Sequence, residues 1–259
     1  MKDKNSIGNV LRVATAVCLV CAVIVSTAAV TLRPFQAENR AAFRQLNVLQ
    51  AAGLYMPGMD VETAFESVER RIVDFETGEY VEGAEDFDPA RAARDPAQST
   101  ALPEDPAGIV RRPHYGEVFL ARSESGALER VILPVHGYGL WSTMYAFIAL
   151  ESDLRTITGI RFFEHGETPG LGGEIENPGW QQDWVGKQVR DDKGAVRFKV
   201  DRGPTPEGVS DADYRIDGLS GATITSRGVE NMVNFWLGDQ GYGPYLASLE
   251  RRTEAGEVL

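Results

Sequence analysis

Apolar positions change their period along the chain, and each change marks an expected element. Val13 to Leu32 is 20 residues without a charge, long enough for one helix to cross a bilayer. Gln36 to Ala52 offers Ala41, Ala42, Leu46 and Leu49 as one helical face, with Gly53 fitting its end. A second helix is expected from about Asp60, because Val61, Phe65, Val68 and Ile72 recur at helical spacing. From Gly116 the period becomes that of strands: Glu117–Arg122 and Glu129–Val135 flank a Ser123-Glu124-Ser125-Gly126 hairpin turn, and Thr143–Leu150, Thr156–Phe163 and Ala195–Val200 follow. Asn177-Pro178 supplies a cap and first turn for a helix on which Trp180 and Trp184 share a face. Val229, Met232, Val233 and Trp236 line one face of a last helix, which Gly238 should stop. The fold class these elements imply is α+β: one N-terminal transmembrane helix, then a bent antiparallel sheet with flanking helices.

Between the helical and β parts, the stretch 82–108 is rich in Ala, Pro, Asp and Glu, and four prolines break its periodicity. It reads as a solvated loop. The expected segments are therefore a tail over 1–12, a transmembrane helix over 13–32, a helical entry subdomain over 33–80, an acidic loop over 81–109 and a main domain over 110–259.

Charge sharpens the first two segments. Lys2, Lys4 and Arg12 precede the apolar run, which puts the N-terminus in the cytoplasm and the main domain across the membrane. A cleaved signal peptide ending near Ser26-Thr27-Ala28 is the competing reading, but the run is long for an h-region of about 7–15 residues. The chain carries a formal net charge of −12, and the residues after Arg33 carry more than that, because the first 33 are net basic. So acidic a body argues against nucleic-acid binding. Cys18 and Cys21 both lie inside the apolar run and read as membrane filling, and the three histidines are scattered in unlike contexts.

Candidate chemistry sits in three glycine-bearing segments. His136-Gly137-Tyr138-Gly139-Leu140-Trp141 places two aromatic rings beside a sharp turn, either as core residues or as walls for a planar ligand. Glu167-Thr168-Pro169-Gly170-Leu171-Gly172 follows an unusual path that lets backbone approach a ligand, with Glu167 able to position neighbouring amides. Asp217-Gly218-Leu219-Ser220-Gly221-Ala222-Thr223 opens the last helix, with Thr225 or Ser226 as its N-cap. That opening is either a plain cap or a seat for an anion such as phosphate. No GxGxxG, Walker lysine or G-x-S-x-G elbow is present, which removes the dinucleotide, nucleoside-triphosphate and esterase readings. A planar ligand together with a phosphate matches flavin mononucleotide.

The same heptapeptide resembles the flavinylation motif of the covalent FMN-binding domain family. That family includes the C subunits of sodium-pumping NADH:quinone reductases and the related G subunits of Rnf complexes. Gly139–Tyr145, the His165–Trp184 run, Asn234–Gly238 and Gly241–Leu246 are similar to the former. The resemblance implies FMN joined through its phosphate to Thr223 by a dedicated flavin transferase. Asp217, Ser220, Gly221 and Ala222 would fit the phosphate and the transferase. Tyr138, Trp141, Glu167, Thr168, Leu171, Gly172 and Lys199 would approach the ring or ribityl chain, with Lys199 and Arg227 compensating charge. It implies an electron-relay member of a complex of six subunits in a bacterial inner membrane, with its FMN domain over 110–259 in the periplasm. Such a chain passes electrons from a membrane iron centre to another subunit's FMN, contacts lipid, and holds no NADH or quinone site of its own. An Rnf-type electron-transfer protein and a non-redox membrane-anchored binding module are the alternatives.

Overall fold

The computed structural model describes residues 6–84, 86–123 and 125–255. The first five residues of the expected tail, Glu85, Glu124 of the hairpin turn and the last four residues lie outside these. Two compact units divide between Arg44 and Gln45. Helix α1, Ile7–Ala51, runs through this division, so the two helices expected over 13–32 and 36–52 are one element. Pro34 lies inside it; proline removes one backbone hydrogen bond, and the neighbouring residues carry the helix on. In the first unit the apolar side chains of α1 are exposed, Cys18 and Cys21 among them.

The elements of the second unit follow in order. They are α2 (Val61–Phe65), β1 (Val68–Asp74), α3 (Pro89–Ala92), β2 (Ser99–Ala101), β3 (Arg111–Pro113), β4 (Tyr115–Arg122), β5 (Leu128–Tyr138), β6 (Thr143–Glu151) and β7 (Ile157–Glu164). Then come α4 (Pro178–Gln182), β8 (Lys199–Val200), β9 (Arg215–Ile216), α5 (Thr223–Leu237) and α6 (Gly243–Glu254). A five-stranded sheet in the order β1-β4-β5-β6-β7 is antiparallel throughout. β4 and β5 pair from Phe119 to Arg122, with a register shift between Ala121 and Arg122, and before Phe119 the Tyr242 hydroxyl links the two strands, 3.0 Å from Glu117 O and 3.1 Å from Pro134 O. One face packs on α5 and α6 through Val135, Met144, Val229, Met232, Val233 and Leu246. The other face is covered by the end of α1, where Val48, Leu49, Ala51 and Ala52 meet Phe119, Ile132 and Phe147.

Three expectations need correction. The helix expected from Asp60 stops at Phe65, although it starts where expected and Asp60 caps it, accepting from Thr63 N at 3.0 Å. Val68 and Ile72 belong instead to edge strand β1, whose alternation they satisfy equally well. The expected loop over 81–109 contains α3 and β2, and Ala92, Ser99 and Ala107 are buried. Within Ala195–Val200 only Lys199–Val200 forms a strand, parallel to β9, while Val196 makes a single bridge to Arg190. Phe198 nevertheless points inward as the alternation required, 4.7 Å from the Trp184 ring.

Candidate functional site

Three segments expected to share a site meet at one end of the sheet. The first is the tip of the β5–β6 hairpin. Tyr138 pairs with Thr143, and Gly139 N donates to Ser142 O at 2.8 Å, so residues 139–142 form the turn. Three successive amides at this tip, those of Leu140, Trp141 and Ser142, point at one side chain, the Glu167 carboxylate, at 2.9–3.3 Å. The second segment is the loop that carries Glu167. Its turn closes by Leu171 N and Gly173 N donating to Thr168 O, and Gly170 supplies the left-handed residue at φ 74.

The third segment is the start of α5. The expected N-cap is corrected here: the helix begins at Thr223, with Ala222 in the cap position and no side-chain cap. Thr225 and Ser226 turn inward instead. Thr225 Oγ1 donates to Glu167 Oε2 at 2.6 Å, and Ser226 Oγ accepts from Leu219 N at 3.1 Å. Successive helical residues are about 100° apart, so Thr223 lies nearly opposite Thr225 on the helix and faces outward. It is exposed. The first turn of α5 contains no acidic residue of its own, and the carboxylate tied to it, that of Glu167, is taken up by Thr225 and the hairpin amides, so the free N–H groups leave a positive helix end.

Most of the residues singled out from sequence therefore lie on these three joined segments. Tyr138, Trp141 and Leu171 are 49%, 64% and 45% exposed, and Ile224 beside Thr223 is 58% exposed, so the joined segments present an apolar, aromatic rim. Leu171 lies over Gly221, where an added Cβ would come 3.2 Å from Leu171 Cδ2. Gly172 is required by packing, since a Cβ there would meet Thr225 Oγ1 at 2.5 Å. Thr168 and Ser220 are exposed at the rim. Asp217 serves as a brace: its carboxylate accepts from Thr205 N, and its carbonyl accepts from Trp180 Nε1, each at 2.8 Å. Lys199 is not brought to the cluster. Its ammonium lies 3.5 Å from Asp211, and its strand is tied to Glu230, well along α5, by the Val200 amide.

Two supports were not foreseen. Ala107 and Gly108, at the end of the acidic stretch, back the rim: Tyr138 N donates to Ala107 O at 2.7 Å, and a Cβ on Gly108 would meet Tyr138 Cβ at the same separation. Ser142 Oγ accepts from Gly166 N at 2.6 Å, which stitches the hairpin tip to the Glu167 loop. No local pattern announces either contact, because the partners are separated by 24 residues or more. Burial raises the Glu167 pKa, but hydrogen bonds from Thr225, Trp141, Leu140 and Ser142 together outweigh it, leaving the pKa below the ordinary carboxylate value. Among the described residues no cluster of His, Cys, Asp or Glu is arranged to hold a metal.

Comparison with known proteins places the chain in a family. The FMN-binding domain family model matches residues 139–238, from the hairpin tip to the residue that ends α5. Over 252 residues the chain is 45% identical to the C subunit of the Na(+)-translocating NADH-quinone reductase of Yersinia pestis, covering 95% of this chain and 94% of that one. The corresponding C subunit of Vibrio vulnificus strain YJ016 is 46% identical over 253 residues, with 96% and 98% covered. The crystal structure of NqrC from Shewanella oneidensis superposes with a TM-score of 0.74 at 36% identity, covering 80% of this chain and 96% of that one. The crystal structure of the same kind of protein from Parabacteroides distasonis gives 0.63 at 30% identity, with 84% and 96% covered. The chain therefore belongs to the family of C subunits of the Na(+)-translocating NADH-quinone reductases.

Proposed function

We propose that this chain is a membrane-anchored electron-transfer subunit that carries FMN as a phosphoester on Thr223. The observation that carries the reading is the exposed Thr223 at the start of α5, a helix N-terminus without a side-chain cap, where the Thr225–Glu167 hydrogen bond ties in the segments bearing the exposed Tyr138, Trp141 and Leu171. The residues suit the group on charge as well as on shape. A free phosphomonoester holds roughly −1.5 to −2 charge at neutral pH, and esterification leaves about one charge for the helix N–H groups to offset. In a body this acidic, a covalent bond also keeps the cofactor from being lost to solution. Bound FMN supplies the capacity to accept and release electrons; the protein supplies attachment, orientation and partial shielding.

The attachment chemistry demands little of the chain. Thr223 need only present its hydroxyl to a flavin transferase, and its exposure allows that. Electrons would arrive from a membrane-embedded iron centre and leave to the FMN of another subunit, with Tyr138, Trp141, Thr168 and Leu171 beside the ring. The exposed rim supports such a relay, because both partners must come close.

The remaining parts follow. Helix α1 spans 45 residues, about 68 Å at ~1.5 Å per residue, against a hydrocarbon core of about 30 Å. Its uncharged stretch over 13–32 crosses the bilayer, the N-terminus is cytoplasmic, and the FMN domain is periplasmic. The deciding experiment is mass spectrometry of the peptide that contains Thr223, from full-length chain co-expressed with a flavin transferase. We expect the mass of FMN less water on the wild-type peptide and none on Thr223→Ala. A Thr223→Ala chain that keeps covalent flavin would refute the assignment.

A further inference from the structure

The Glu167 side chain is 4% exposed, and its hydrogen-bonding capacity is spent on the protein. Oε1 accepts from Leu140 N at 3.0 Å, Trp141 N at 2.9 Å and Ser142 N at 3.3 Å; Oε2 accepts from Thr225 Oγ1 at 2.6 Å and from Leu140 N at 3.2 Å. A buried carboxylate without partners would cost several kcal/mol, so this set of donors is what allows it to sit there. The chain also clears space for it. A Cβ on Gly139 would come 2.6 Å from Oε1, and one on Gly172 would come 2.8 Å from Oε2. Behind it, Glu167 N donates to His165 Nδ1 at 3.1 Å, and His165 Nε2 lies 3.1 Å from Glu176.

One oxygen thus holds the turn that carries Trp141, and the other holds the first turn of α5, two residues from Thr223. We propose that Glu167 is a positioning residue, with Thr225 as its partner, that locks the aromatic rim in register with the flavin attachment point and does not itself touch the flavin. This rests on the reading of Thr223 as the attachment residue. The two jobs are separable: Thr223 presents a hydroxyl outward, and the latch beneath sets where an attached ring can lie. Losing the latch leaves the ester intact and frees the ring to move.

Thr225→Val tests this, because valine keeps the volume, removes the hydroxyl, and leaves the three hairpin amides bonded to Glu167. The full-length chain is co-expressed with a flavin transferase and purified in detergent. The Thr223 peptide is weighed, and the attached flavin is measured by fluorescence anisotropy and by quenching with iodide. We expect FMN on Thr223 in wild type and Thr225→Val alike, with lower anisotropy and a larger iodide quenching constant in the variant, and both values restored by Thr225→Ser. Glu167→Ala should lose more, since it strands all the donors, and Glu167→Gln should recover most of the loss. If Glu167→Ala does not fold, Thr225→Val decides alone. Wild-type anisotropy and quenching in Thr225→Val, or no recovery in Thr225→Ser, overturns the latch. A wild-type peptide without FMN overturns the attachment reading and the latch with it.

Discussion

His136 carries a pH dependence that falls between neutral pH and mild acid. Burial lowers its pKa from 6.5 to about 4, and Asp105 opposes the shift only in part. Its ring stacks on Tyr145, with centroids 5.5 Å apart, and packs at 4.8 Å against Trp236. A histidine held neutral in the fold takes up its proton more readily when unfolded. Stability therefore falls as pH drops through the window from 6.5 towards 4. Between pH 7 and pH 5 this amounts to about 2 kcal/mol for a shift of that size. Glu167 does not compete there: with its pKa lowered, its contribution is present above the ordinary carboxylate range and is lost only below it. Denaturant titrations at pH 7 and pH 5 should show a smaller loss in His136→Phe than in wild type, by about that amount; equal losses would rule the histidine out. Single residues were also unevenly legible in the sequence. Thr223 stood out because its motif is contiguous, whereas the partners of Glu167 lie 25 to 58 residues away and no local pattern links them.

At the scale of elements, α5 is held to β5 by the absence of a side chain at Gly228. A Cβ there would meet Tyr138 O at 2.6 Å and Gly139 Cα at 3.1 Å, both backbone atoms that cannot swing aside. Alanine would gain roughly 0.8–1 kcal/mol of helix propensity, but crowding a packed contact costs about 1–3 kcal/mol. The crowding should win, so Gly228→Ala is expected to lower the melting temperature, and a variant that melts at or above wild type would show that the helix can shift. The same geometry explains which elements the sequence revealed. The strands of the β5–β6 hairpin read as strands because they are long apolar runs, and on α5 the face of Val229, Met232, Val233 and Trp236 is buried where the spacing put it. Val61, Phe65, Val68 and Ile72 fit a helix, but Val68, Arg70 and Ile72 also fit a strand, and the open edge of β4 decided between them. The acidic stretch misled for a different reason. Prolines and charge mark it as irregular, yet Asp88 caps α3, and Ala107 reaches the core beside Tyr138.

The whole molecule is joined at α1, which belongs to both units, and the place where it is cut should matter sharply. Ahead of Gln45 the helix presents apolar side chains to its surroundings, as suits a membrane segment. After Gln45 it is part of the domain core: Val48, Leu49, Ala51 and Ala52 are at most 1% exposed, and Arg130 Nη1 donates to Ala52 O at 2.7 Å. The helix end also comes so close to β7 that a Cβ at Gly159 would overlap Ala51 O. A chain starting at Gln45 should therefore be soluble without detergent and keep its core. A chain starting at Leu54 lacks only nine more residues but bares the sheet face of Phe119, Ile132 and Phe147. Removing Val48 and Leu49 alone forfeits about 1.5–3 kcal/mol each, a large part of the 5–15 kcal/mol typical of a domain. Chemical denaturation of the two truncations is the check. We expect the Leu54 chain to unfold at markedly lower denaturant or to aggregate, whereas matching midpoints would mean that the last turns of α1 serve the anchor and not the domain.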